Sequence, residues 1–123
     1  MKAWVLGEPG GMDNLQLVER PRPEPRRHEV VLRMRAASIN YRDMEICRGS
    51  FAMKFPLPII PLSDGVGEVV AVGEDVRRVK VGERVCTAYW ARWIAGGIHM
   101  AELGTQRGGP IDCSAAEYIR IDE

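Results

Sequence analysis

The chain has 123 residues, and its 17 Lys plus Arg are matched by 17 Asp plus Glu, for a formal net charge of zero. That length suits one domain with a modest core, and the charge balance argues against a protein that finds nucleic acid or an acidic membrane electrostatically. No run approaches the roughly 20 apolar residues of a membrane span, and the Met1-Lys2-Ala3-Trp4 start has no apolar signal core, so a cytoplasmic setting without a membrane partner is expected.

Residues 2–6 alternate Lys2 and Trp4 with Ala3 and Val5, then break at Gly7-Glu8-Pro9-Gly10-Gly11, which predicts a strand followed by a loop. Residues 15–18 predict a second short strand. Pro21, Pro23 and Pro25 alternate with charged residues and read as an extended connector; a ligand for a proline-recognition domain is the sharper alternative. Residues 29–37 give the clearest strand. Val30, Leu32, Met34 and Ala36 fall on one face and Arg33 and Arg35 on the other, which we read as a solvated face rather than a phosphate-binding stripe.

The period then changes. Asn40 is a good helix N-cap, Tyr41, Met44 and Cys47 recur at helical spacing, and Gly49 provides a stop, so a short helix follows the long strand. Asn40, Tyr41, Arg42 and Asp43 thereby collect at a strand-to-helix corner, a place that exposes polar groups to ligands. On the residues alone, Asn40 and Asp43 can equally be plain helix caps.

Residues 51–61 form an apolar, proline-punctuated loop. Pro58 then opens the stretch PIIPLSDGVGEVVAVGEDVRRVKVG, in which Gly65 and Gly67 bracket Val66 and call for positive φ or close contact with a neighbouring segment. Residues 68–72 read as a strand, Gly73-Glu74-Asp75 as a turn, and Val79-Lys80-Val81 as a short strand ending at Gly82. Between residues 88 and 110, Tyr89, Trp90 and Trp93 lie beside glycines, with a helical turn expected over residues 98–103. Those aromatics either line a pocket for a flat ligand or pack within their own loop. Residues 116–121 close the chain as a strand. Cys47, Cys86 and Cys113 form no C-x-x-C pair and read as buried or partly buried free thiols, and His28 and His99 read as surface residues.

The run P-x-x-P-L-S-D-G-V-G-E-V-V-x-V-G, followed by V-x-x-V-K-V-G-E-R-V, resembles the GroES-like domain of the medium-chain dehydrogenase/reductase superfamily, and is most similar to its zinc-free, quinone oxidoreductase-like and alcohol dehydrogenase-like branch. The resemblance extends from Gly7 through Asn40-Tyr41-Arg42-Asp43 to Ala116-Glu117-Tyr118. It implies a mainly β, partly open GroES-like barrel with one or two short helices over residues 1–123, acting on a carbonyl, alcohol, enone or quinone, and it admits a homo-oligomer. It also implies that Asn40 and Tyr41 contact both nicotinamide and substrate, with Asp43 as a further catalytic residue, Arg42 as a further cofactor contact, and Ser63, Asp64, Tyr89 and Trp90 around the substrate.

Zinc-dependent relatives place Cys, His and Glu where this chain has Asn40, Ser63 and Asp64. An amide and a hydroxyl are poor Zn²⁺ ligands, so no catalytic metal is expected. The cofactor implied is NADP or NAD, with NADP favoured. Gly65-Val66-Gly67 lacks the third glycine of G-x-G-x-x-G, Val70 standing there, so the nucleotide-binding Rossmann domain is expected beyond Glu123 and the isolated chain is expected to be inactive. The rival readings are a non-enzymatic GroES-like assembly module and an inactive stand-alone remnant.

Overall fold

The computed structural model describes residues 1–123. Strand β1 (Lys2–Leu6) pairs antiparallel with β2 (Leu15–Glu19), Trp4 opposite Leu17. The remaining elements are β3 (Glu29–Ser38), the helix α1 (Tyr41–Arg48), β4 (Asp64–Val72), β5 (Arg84–Cys86) and β6 (Tyr118–Asp122). These four strands form an antiparallel sheet in the order β5-β4-β3-β6. Two 3-10 turns, Met12–Asn14 and Leu103–Thr105, complete the regular structure.

Single bridges from Ala3 to Ala116 and from Leu6 to Ile59 tie β1 to the segments that lead into β6 and β4, and neither sheet closes on itself. The architecture is the expected mainly β, partly open barrel with one short α-helix. No helix is long and apolar enough to cross a membrane.

Three apolar clusters hold this frame. The largest joins Val30 and Leu32 of β3 to Val69 of β4 and to Ile119 and Ile121 of β6, with Cys113 beside them. Leu6, Ile46, Cys47 and Ile59 bind β1, α1 and the loop before β4 into a second cluster. Side chains of this size each contribute about 1.5–3 kcal/mol when removed from water.

The β3 alternation holds only in part. Arg33 and Arg35 are exposed as expected, but Val31 is fully buried and Ala36 is exposed. Of the two register shifts against β4, the one between Met34 and Ala36 adds a residue to β3 and turns Ala36 outward, whereas the one between Val31 and Leu32 adds Val70 to β4 and leaves Val31 on the face opposite Val30 and Leu32, where it is buried as well. Arg35, the extra residue at the second bulge, pairs with Glu68 at 2.6 Å.

Gly65 and Gly67 use close approach rather than positive φ. A Cβ on Gly65 would lie 2.5 Å from both Met34 Cε and Ser114 Oγ, and one on Gly67 would lie 2.9 Å from Leu32 Cβ. Gly49 does adopt the left-handed conformation (φ 78°) and ends α1 as its position predicts.

Val79-Lys80-Val81 is not a strand. Val76 and Val79 pack on the main core from an irregular segment, so side-chain burial rather than a ladder fixes it. The turn expected over residues 98–103 is present, closed by the Glu102 N–H on the His99 carbonyl at 3.1 Å, and it runs on into the 3-10 turn at Leu103–Thr105. Cys47 and Cys113 are buried, whereas Cys86 is exposed because it alternates on β5 with the inward-facing Val85. His28 and His99 are exposed as expected.

Candidate functional site

β3 ends at Ser38, and Ile39 and Asn40 carry the chain into α1. Asp43, at the third helical position, returns Oδ2 to accept from the Asn40 backbone N–H at 2.8 Å, one half of a capping box. The Asn40 side chain turns toward β4. Its Nδ2 donates to Asp64 Oδ2 at 2.5 Å, and Ser63 Oγ donates to the same oxygen at 2.9 Å. Asn40 and Asp64 are 24 positions apart in sequence, so the fold alone joins them.

Thr87 buttresses this cluster. Its Oγ1 donates to the Ser63 carbonyl at 2.9 Å and accepts from the Gly65 N–H at 3.0 Å. Behind Ser63, the buried Cys113 Sγ lies 3.2 Å from Ser114 Oγ and 3.6 Å from the Ser63 carbonyl. Burial pushes the Cys113 thiol up, so it stays protonated rather than supplying a thiolate.

The other expected site residues divide into two environments. Tyr41 is 77% exposed beside the equally accessible Ile39. Asp43 is buried beside an apolar cleft of about 350 Å³ shared with Trp4, Ile39 and Leu62, and its Oδ1 is shut off from solvent with at most a weak approach from the Leu62 backbone N–H. Desolvation raises its pKa, only partly opposed by the Asn40 amide and the Arg42 charge.

Arg42 does not stand on the open corner with Tyr41. Its guanidinium lies between the rings of Phe51 (5.1 Å) and Tyr89 (5.0 Å), and Nη1 donates to the Arg107 carbonyl at 2.9 Å. Tyr89 and Trp90 meet edge to face at 4.9 Å, but Trp90 faces a different cleft, on the β5 side. Thus Asn40, Ser63 and Asp64 gather at the corner, Tyr41 projects into solvent from the first position of α1, Arg42 and Tyr89 pair apart from it, and Trp90 lines another cleft.

Two contributors escaped sequence reasoning. Thr87 directly follows β5, and buried Arg107 sits in a glycine-flanked stretch that reads as loop. Neither carries a local signal, since each acts through partners far along the chain.

As a metal centre the corner fits poorly. Its donors are an amide, a hydroxyl and one carboxylate, and no three His, Cys, Asp or Glu side chains are grouped so as to hold an ion.

The comparisons with known proteins fit this geometry. The family described as "Alcohol dehydrogenase GroES-like domain" matches residues 26–123. The chain belongs to that family. A zinc-type alcohol dehydrogenase-like protein of Schizosaccharomyces pombe (strain 972) is 35% identical over 110 residues, covering 85% of this chain and 32% of the relative. The chloroplastic quinone oxidoreductase QR1 of Triphysaria versicolor is 36% identical over 100 residues, covering 80% and 30%. The crystal structure of an NAD-dependent alcohol dehydrogenase superposes with a TM-score of 0.81 at 30% identity, covering 100% of this chain and 38% of that one.

This GroES-like domain is therefore a member of the medium-chain dehydrogenase/reductase superfamily, and it spans about a third of the length of the relatives it matches.

Proposed function

We propose that this GroES-like domain is the substrate-binding half of an NAD(P)(H)-dependent oxidoreductase that works without catalytic zinc on a carbonyl, alcohol, enone or quinone. The observation that carries the reading is the meeting of Asn40, Ser63 and Asp64 at the start of α1, whose first residue is the exposed Tyr41. The zinc-free part rests on the donor chemistry of that cluster. NADP is favoured over NAD through the likeness to quinone oxidoreductases.

The nicotinamide cofactor supplies the hydride; the residues of this chain supply orientation and charge. Gly65 and Gly67 lie inside β4 and open no helix, so they form no dinucleotide fingerprint, and the reading requires a nucleotide-binding domain to complete the catalytic unit. The Asn40 amide nitrogen is engaged by Asp64 and, at 3.4 Å, by Ser38 Oγ; its carbonyl oxygen faces the Asp43 N–H in the capping box and keeps a second lone pair as an acceptor suited to the nicotinamide carboxamide.

Tyr41 is then the donor for the negative charge that hydride delivery builds on the substrate oxygen. Asp43 acts through Asn40 as a positioning residue, because its carboxylate is buried on that backbone amide. Arg42 and Tyr89 pair apart from the corner, and Ser63 fixes the acceptor oxygen of Asp64.

The test is an assay of the catalytic unit containing this domain and its nucleotide-binding domain, with NADPH and NADH against an aldehyde, an enone and p-benzoquinone. Cofactor oxidation is expected with at least one substrate class, resistant to dialysis against a chelator. Tyr41→Phe is expected to lower kcat/KM about 10²-fold. Unchanged kinetics remove Tyr41 from its role, loss of activity on chelation removes the zinc-free mechanism, and no oxidation with any substrate overturns the reading.

A further inference from the structure

On the side of the main sheet where β5 and the end of β6 meet the loop carrying Trp90 and Trp93 lies a cleft of about 580 Å³. Its walls are largely apolar, with Val85, Trp90, Trp93, Ile94 and Ile121 contributing. None of Asn40, Tyr41, Ser63 or Asp64 lines it, so a ligand bound there goes beyond the oxidoreductase reading and does not depend on it.

Arg107 is set in this apolar wall and is only 4% exposed. Its main chain is firmly anchored: the amide donates to the Tyr89 carbonyl at 3.0 Å, and the carbonyl accepts from Arg42 at 2.9 Å. Its side chain is not. Nε is shut off from solvent without a partner, and no hydrogen bond or ion pair within the chain takes up the guanidinium.

Arginine offers five N–H donors and no acceptor, and it stays charged, so a nearly buried guanidinium without a counter-ion, its Nε sealed from solvent, is a costly arrangement. Burial lowers its pKa, offset only in part by the Asp122 carboxylate. Asp122 is exposed at the rim and makes no ion pair with it, while the Glu123 carboxylate is already held by the amides of Arg77 and Arg78 at 2.7 and 2.8 Å. Arg78 and Arg92 also line the cleft, so cations outnumber anions there.

We propose that this cleft binds a small carboxylate with an aromatic or aliphatic body, the carboxylate pairing with Arg107 and the body lying against Trp90 and Trp93. Planar guanidinium donors match a carboxylate bidentately, and indole faces match a flat apolar body. The volume suits a small molecule rather than a protein segment.

The probes are 3-phenylpropanoate and its neutral counterpart 3-phenylpropanol, titrated into the purified protein by calorimetry and by tryptophan fluorescence. The acid is expected to bind at one site at least about tenfold more tightly than the alcohol. Arg107→Met should abolish that preference without weakening the alcohol, and should melt no lower than the parent, since it removes an unpaired buried charge. Arg107→Lys should retain part of the preference.

Equal affinity for acid and alcohol overturns the proposal in the unmodified protein, without recourse to a variant. So does an acid preference that survives Arg107→Met, or the absence of binding by either probe.

Discussion

Asp43 is the residue whose local and tertiary roles differ most. At the sequence level it is an acidic residue in the first turn of a helix; in the fold its carboxylate is buried against the Asn40 amide with its other oxygen shut off from solvent. Burial holds its folded pKa above the unfolded carboxylate value of about 3.9, so the folded chain binds that proton more tightly than the unfolded chain does. Its contribution to stability is therefore fully present in acid and is lost as pH rises from the unfolded pKa through the raised folded one. Asp43→Asn cannot ionise, so the stability of the unmodified protein relative to this variant should decline between acid and neutral pH. Denaturant melts of both proteins across that range check the sign. A difference that does not change with pH would mean that Asp43 titrates as it does in the unfolded chain.

Among the elements, β4 is the one on which the site depends. Its first residue, Asp64, joins the Asn40 cluster, and its glycines let β3 and the Ser114 segment approach closely enough to hold that end of the strand in place. Gly65→Ala should therefore lower unfolding free energy by about 1–3 kcal/mol, the usual cost of overpacking. Met34 can swing away from the added methyl, but Ser114, buried beside Cys113, has less room to move. Urea denaturation measures the loss; an unchanged midpoint would show that the gap has room for a side chain. The paired glycines were legible as a place of close contact. Which segments make that contact was not, because Met34 and Ser114 lie far from Gly65 in sequence.

For the whole molecule, the weak joint is the seam between the small β1-β2 sheet and the rest. Leu6 is completely buried, pairs by a backbone bridge with Ile59, and packs on Ile46 and Cys47 of α1. Leu6→Ala should cost about 2–5 kcal/mol, a large share of the roughly 5–15 kcal/mol typical of a native protein. Thermal melting should show a much lower transition or none. A shift of only a degree or two would mean that the seam relaxes around the lost side chain. Across this seam, β1 and the loop before β4 support α1 from below, so its failure would disturb the Asn40 corner as well.

Local signals were enough to set the strands at residues 2–6, 15–18 and 29–37, the helix opened by Asn40 and stopped by Gly49, and the superfamily. Those features are written in periods, caps and a contiguous motif. Which side chains meet was settled by the three-dimensional packing. The β3 bulge at Arg35 brought Ala36 out, Val31 was covered on the face opposite Val30 and Leu32, Arg42 was drawn between Phe51 and Tyr89, and Arg107 was left unpaired in an apolar cleft. The physical reason is that burial and hydrogen-bond partners are set by segments distant along the chain, which no local period or cap records.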